Sequence, residues 1–210
     1  MTSINHIEAP LIGINRHRMG IDGNGVTTLV AFHGCPLRCR YCLNPQCNHA
    51  SGIGQILTPE MLLEQVKIDN LYFLSTDGGI CFGGGEPCLR SQFISEFCQL
   101  ADPRWRITLE TSLNVERRHL KMLLPLISQW IIDVKDMNPN IYQAYTRRSN
   151  RRVIGNLRWL AKQGVADKCL IRLPLIPEYN TKAAVVSSHH ILMEMGFTHF
   201  DEFEYIVEEF

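Results

Sequence analysis

Short apolar runs recur along the chain, and most are followed by a stretch whose apolar positions fall three and four residues apart. The first clear run, at 26–32 (VTTLVAF), is β-branched and bounded by glycine, which predicts a strand. A helix is then predicted from Thr58 and Pro59, with Thr58 as N-cap, Pro59 at the first helical position, and Leu62 and Val66 on one face. The same pairing returns at 79–82 with 91–100, at 105–109 with 115–127, at 130–134 with 151–162, and at 169–175 with 181–195. A closing strand is expected at 200–207. Six strands alternating with helices predict parallel pairing through right-handed crossovers, in either an open doubly wound sheet or a curved partial barrel. In both, ligands bind at loops that follow the carboxyl ends of strands.

Composition narrows the class. The 210 residues suit one domain spanning 1–210, and 45% hydrophobic with 20% charged residues is ordinary for a globular chain. No repeat, charge run or Pro/Gly/Ser linker divides it. Twenty-one basic residues balance twenty-one acidic ones, which argues against a dedicated nucleic-acid or anionic-membrane binder while leaving room for local basic patches. No apolar stretch approaches the roughly 20 residues that span a bilayer, and MTSINHIEAP lacks the apolar core of a signal peptide. A cytoplasmic location is therefore expected. In that reducing setting the eight cysteines are better explained as core thiols, metal ligands or redox groups than as disulfides.

Three of the cysteines, Cys35, Cys39 and Cys42, lie at C-x3-C-x2-C spacing in the loop 33–48 that follows the first strand. Gly34, Pro36, Arg38 and Arg40 make that loop a poor apolar core. A structural zinc site could take Cys47 or His49 as a fourth ligand, but no second paired motif follows. Three thiolates alone suit a [4Fe-4S] cluster with one iron open to a chelating small molecule. Later strand ends carry further unusual groups. Gly83-Gly84-Gly85-Glu86-Pro87 exposes backbone to close approach, or forms a plain tight turn. Glu110 and Thr111 end the third strand, Asp133 and Lys135 the fourth, and Arg172 lies among apolar neighbours in the fifth. Charges in such places need partners. Ser112 and Asp136 suit helix or turn capping.

The cysteine spacing, with Tyr41 before the last cysteine, resembles the radical S-adenosylmethionine (radical SAM) superfamily, and GGGEP resembles its GGE motif. Glu110-Thr111-Ser112, Asp133-Val134-Lys135 and the run Arg172-Leu173-Pro174-Leu175-Ile176-Pro177 through Asn180 are similar to segments of the glycyl-radical-enzyme activating group. So are the lead-in 20–27, Asn44-Pro45, 57–60 and 145–160. The resemblance implies a partial (β/α)6 barrel of parallel strands, open on one side. It implies Cys35, Cys39 and Cys42 as ligands of a [4Fe-4S] cluster, and Tyr41, Gly84, Gly85, Glu86, Glu110, Lys135 and Arg172 as contacts of S-adenosylmethionine (SAM). A monovalent cation would sit near Glu110, Thr111 and Asp133. The reaction it implies is reductive cleavage of SAM to a 5′-deoxyadenosyl radical, which takes a hydrogen from a glycine of a glycyl-radical enzyme, with a flavodoxin- or ferredoxin-type protein as electron donor. Nucleic acid and membrane are not expected partners.

The sequence departs from the group in three ways. Ser112-Leu113 replaces its usual small-residue-then-glycine ending, no ferredoxin module follows the cysteine loop, and little chain follows the last strand, so one cluster and an open side are expected. Cys81, Cys98 and Cys169 are expected in the core, with Cys47 and Cys88 beside the SAM site. A radical SAM enzyme acting on a small molecule or peptide, like the carboxy-deazaguanine synthases, and a zinc-stabilised binding module are the alternatives.

Overall fold

The computed structural model describes residues 7–205. It is a mixed α/β fold with a mostly parallel, open sheet, and contacts group it into two compact units. The first comprises 7–35, 44–110 and 117–129. The second comprises 36–43, 111–116 and 130–205.

In the first unit the strands are β1 (Ala9–Met19), β2 (Val26–Phe32), β3 (Gln55–Leu57), β4 (Gly79–Gly84) and β5 (Arg106–Thr111), in the order β3-β1-β2-β4-β5. β2, β4 and β5 pair in parallel, with Phe32 opposite Gly84 and Phe82 opposite Leu109. β1 runs antiparallel to both β2 and β3. The helices are α1 (Pro59–Val66), α2 (Asn70–Thr76), α3 (Ser91–Leu100) and α4 (Arg117–Leu123). α1 begins as expected, with Thr58 Oγ1 accepting from the Met61 amide at 3.3 Å and Pro59 following. The core holds an aromatic chain in which Phe32 contacts Phe82 and Phe93 at 5.6 and 5.5 Å between ring centres, and Phe82 contacts Phe97 at 5.4 Å.

β1 and β3 raise the strands to eight among the described residues, against the six expected. β1 was hidden because its second half, Asn15-Arg16-His17-Arg18, is polar. It is held by a distant carboxylate: Asp69, fully buried, accepts from Arg16 Nε at 2.8 Å and Thr28 Oγ1 at 2.9 Å, with His17 Nε2 at 2.9 Å.

The second unit carries β6 (Gln129–Asp133), β7 (Cys169–Leu175) and β8 (His199–Glu204), all parallel and in that order, with α5 (Pro139–Thr146), α6 (Arg151–Lys162) and α7 (Lys182–Glu194). α5 was not expected. Asn138 caps it, Oδ1 accepting from the Asn140 amide at 2.9 Å, and Pro139 fills its first position. The expected strand at 200–207 is β8 as far as Glu204; Ile206 and Val207 lie outside the described residues. Cys81 and Cys169 are buried in strands as core thiols, while Cys98 on α3 is partly exposed.

Candidate functional site

In the first unit, the chain leaving β2 runs directly into the loop at 33–48. Its opening residues are laced to the turn that follows β4: the Gly85 amide donates to the Phe32 carbonyl and the Glu86 amide to the Gly34 carbonyl, both at 2.8 Å. The Gly34 amide donates to the Cys47 carbonyl at 2.8 Å, which holds the start of the loop just before Cys35. Gly84 has φ +91°, a left-handed value that favours glycine. A Cβ on Gly85 would stand 2.3 Å from the Gly34 oxygen. Gly84 is thus required by its left-handed backbone and the closeness of β2, and Gly85 by the approach of the loop. Glu86 is buried, and its Oε1 accepts from the Cys88 amide at 3.2 Å, so part of its capacity goes to capping the short turn 87–90. Cys47 and Cys88 are buried, and Cys35 is half-buried. His33 places Nε2 2.8 Å from the His49 carbonyl, in keeping with a capping role.

Glu110 at the end of β5 lies near Asp22 and Cys81, their ligand-type atoms all within 4.8 Å of one another. Arg18 of β1 pairs with Asp22, its Nη2 donating to Oδ1 at 3.1 Å and its Nε to Oδ2. The Asp22 hydrogen bonds first, then the nearby Asp22 and Glu110 charges, outweigh burial and raise the guanidinium above its ordinary value. The Arg18 guanidinium thus adds positive charge in the neighbourhood of Glu110. Sequence reasoning missed Arg18 because it belongs to the unexpected strand. Asp22 lies within the lead-in 20–27.

In the second unit, Cys39 and Cys42 are half-buried on the segment 36–43. That segment is anchored to the C-terminal end of α5, with the Arg38 amide donating to the Thr146 carbonyl at 2.9 Å and the Arg40 amide to the Tyr145 carbonyl at 3.1 Å. Tyr41 lies 5.9 Å from Tyr179 and 6.2 Å from Tyr145 between ring centres, and its hydroxyl donates to Glu178 at 2.9 Å. Burial pushes the Cys39 thiol up to about 11, with Lys135 drawing it the other way. A thiol so placed ionises when a metal takes up its charge, and thiolate is the ligand type that an iron–sulfur cluster needs.

Lys135 is 7% exposed and donates through Nζ to Asp133 at 2.8 Å. Burial opposes its charge, but the Asp133 carboxylate together with smaller contributions from Tyr205, Cys39 and Tyr145 outweighs this and holds the ammonium above its ordinary value. Arg172 on β7 stands in register with Asp133 of β6 on one side and Asp201 of β8 on the other, pairing with Asp201 at 3.4 Å. Its charge therefore faces neighbouring strands rather than solvent alone. Thr111 is buried and its hydroxyl accepts from the Leu113 amide at 3.0 Å. Leu113, fully buried, has φ +57°, the conformation for which glycine is suited.

Comparison with known proteins adds to this geometry. The family model described as the radical SAM superfamily matches residues 29–185. The chain belongs to the radical SAM superfamily. Its chemistry is accordingly radical-generating and redox, and the superfamily implies a [4Fe-4S] cluster and SAM. Among curated proteins, this radical SAM chain is 26% identical to a (2S)-3-sulfopropanediol dehydratase activating enzyme of Klebsiella oxytoca, over 89% of this chain and 78% of that one. It is 30% identical to a pyruvate formate-lyase-activating enzyme of Clostridium pasteurianum, over 75% of this chain and 65% of the relative. Among solved structures, Streptococcus suis SuiB superposes with a TM-score of 0.62 at 15% identity, over 84% of this chain and 38% of its own. That likeness supports the fold, and the chain spans well under half of the matched structure. No helix among the described residues is long and apolar enough to cross a membrane.

Proposed function

We propose that this is a cytoplasmic activating enzyme that installs a radical on a backbone glycine of a partner glycyl-radical enzyme. The observation that carries this reading is that the similarity to activating enzymes extends over 75–89% of the chain rather than over the cysteine loop alone. When bound, the cluster and SAM supply a one-electron reductive cleavage that releases methionine and a 5′-deoxyadenosyl radical able to take a hydrogen atom from glycine.

The protein's part is to bind, orient and exclude water. Cys35, Cys39 and Cys42 hold the cluster, and the backbone of Gly84 and Gly85 with Glu86 holds the SAM amino group. Glu110, Lys135 and Arg172 fix its carboxylate and ribose, and Tyr41 packs beside the last cysteine ligand. Lys135 suits this work because the groups around it, Asp133 foremost, favour its charge against burial. A flavodoxin- or ferredoxin-type protein supplies the electron.

The test is anaerobic reconstitution with iron and sulfide, then dithionite-driven SAM cleavage, and electron paramagnetic resonance after mixing with pyruvate formate-lyase and with related glycyl-radical enzymes. Expected are about four irons per chain, 5′-deoxyadenosine formation, and a glycyl signal with one of the partners. Cys39→Ala loses iron and cleavage, whereas Cys98→Ala keeps both. SAM cleavage by Cys39→Ala, or an iron-free and inert wild type, would overturn the reading.

A further inference from the structure

The segment bearing Cys39 and Cys42 and the turn between α5 and α6 bring their arginines together within the second unit, with the Glu178 carboxylate against Tyr41 as the acidic group bonded to this face. Three contacts join them: the two backbone bonds from Arg38 and Arg40 described above, and Arg148 Nε donating to the Pro36 carbonyl at 2.9 Å. Together, the stretches 36–43 and 145–152 contain six arginines and no acidic residue. All six (Arg38, Arg40, Arg147, Arg148, Arg151 and Arg152) are exposed. Among the described residues, Arg40, Arg147, Arg148, Arg151 and Arg152 form no ion pair. With the six set aside, 15 basic residues face 21 acidic ones in the rest of the chain, so the neutral composition conceals a strong separation of charge.

Local structure disfavours two of these charges, Arg151 and Arg152. Arg151 and Arg152 open the twelve-residue α6, whose first turn has no acidic residue. The helix dipole disfavours cations there. Leu43, 80% exposed, adds a single apolar contact point to the surface. Arginines with no ion-pair partner, set at the positive end of a helix, do little for the fold and much for an approaching anionic surface.

We propose that this arginine surface docks the acidic face of a small one-electron carrier protein of the flavodoxin or ferredoxin type. The inference rests on the function proposed above and deepens it by placing the donor. Arg38 and Arg40 flank Cys39 in the chain, so a carrier bound here brings its reduced centre to the destination of the electron. One electron leaves the reduced flavin or iron–sulfur centre of the carrier, which is oxidised, and enters the oxidised cluster, which is reduced. No proton or covalent bond moves in this step. Such redox encounters are small and transient, usually below about 1,200 Å² of buried surface, and depend on charge more than on apolar area.

The test uses the reconstituted holoprotein and a bacterial flavodoxin. The surface variants are Arg151→Glu with Arg152→Glu, and separately Arg40→Glu. Binding of oxidised flavodoxin is measured by flavin fluorescence, and cluster reduction by flavodoxin hydroquinone is followed by stopped-flow absorbance. For the double variant, both the affinity and the second-order rate constant should fall about tenfold or more near 50 mM salt, and the difference should shrink to under about twofold near 500 mM. Thermal stability should hold or rise, since glutamate suits the first turn of a helix, and dithionite-driven SAM cleavage should stay at the wild-type level. Unchanged flavodoxin binding in both variants would overturn the proposal, as would a loss of affinity confined to the glycyl-radical enzyme or to RNA. If the wild type fails to cleave SAM with dithionite, the functional reading falls, while the flavodoxin titration still decides the docking surface.

Discussion

Replacing Gly85 by alanine isolates the approach of the turn after β4 to the start of the cysteine loop. Its φ lies outside the left-handed region, so the substitution adds volume without backbone strain. The new methyl would sit 2.3 Å from the Gly34 oxygen, where ordinary contact begins at 3.4 Å, and so one segment must retreat by about an ångström. Such a retreat stretches the Gly85–Phe32 and Glu86–Gly34 bonds, now 2.8 Å, past the useful range for an N–H···O bond. Loss of two backbone bonds, with their groups left poorly satisfied, costs about 2–4 kcal/mol. For a chain of this size that corresponds to a fall in Tm of roughly 4–16 °C by calorimetry. Gly13→Ala is the control, because a Cβ there meets nothing within 4 Å, and its Tm should stay within about 2 °C of wild type. Cys35 follows Gly34 directly, so iron retained per chain after anaerobic reconstitution should also fall in Gly85→Ala. A Gly85→Ala protein with wild-type Tm and full iron would refute the claim that this contact sets the loop.

Three further outcomes are expected. At Leu113 the usual order of small substitutions should reverse: Leu113→Gly should be less destabilised than Leu113→Ala by about 1 kcal/mol in urea titrations, since only glycine relieves the left-handed backbone while both lose the buried side chain. Asp133→Asn should destabilise more than Lys135→Met at pH 7 by chemical denaturation. The lysine side chain is almost fully buried and would be left as a buried charge, whereas the Asp133 side chain is 25% exposed and keeps its hydration. The buried Asp69 carboxyl is pushed up by burial, but its hydrogen bonds from Arg16, Thr28 and His17 outweigh this and hold it below the usual carboxylate range. Its contribution is thus present above the unfolded-state value and is lost as pH falls through the folded one. Asp69→Asn should cost about 1–3 kcal/mol at pH 7, with the gap to wild type closing below about pH 4.

How much of this was legible depended on how local the determinants were. The strand at 26–32, the Thr58-Pro59 helix start and the core thiols Cys81 and Cys169 needed only neighbours along the chain, and the structure has them in those places. α5 was locally legible too. Asn138-Pro139 is a good helix start, with the cap and the first helical position both given by local sequence. β1 was not legible, since its polar half depends on a carboxylate more than fifty residues away in Asp69. The four-residue patterns flanking 117–123 overstated α4, which is shorter than the expected 115–127. At the site, GGGEP pointed to close backbone approach, and the structure supplies a partner in the cysteine loop itself. Arg18 as the charge beside Glu110 had no local signal at all.

The arginine surface marks the limit of reading charge from composition. A zero total rules out a strong field far from the molecule, but a docking partner senses charge within about a Debye length, close to 8–10 Å. Arg38 and Arg40 belong to a short segment whose backbone is tied to residues more than a hundred positions later, so no sequence window contains both halves of the patch. Exposed arginines that form no ion pairs contribute little to folding, and two of these stand at the helix end where they weaken it. Charge of this kind is removable without loss of the fold, which is why reversing it can separate electron delivery from the chemistry at the cysteine loop.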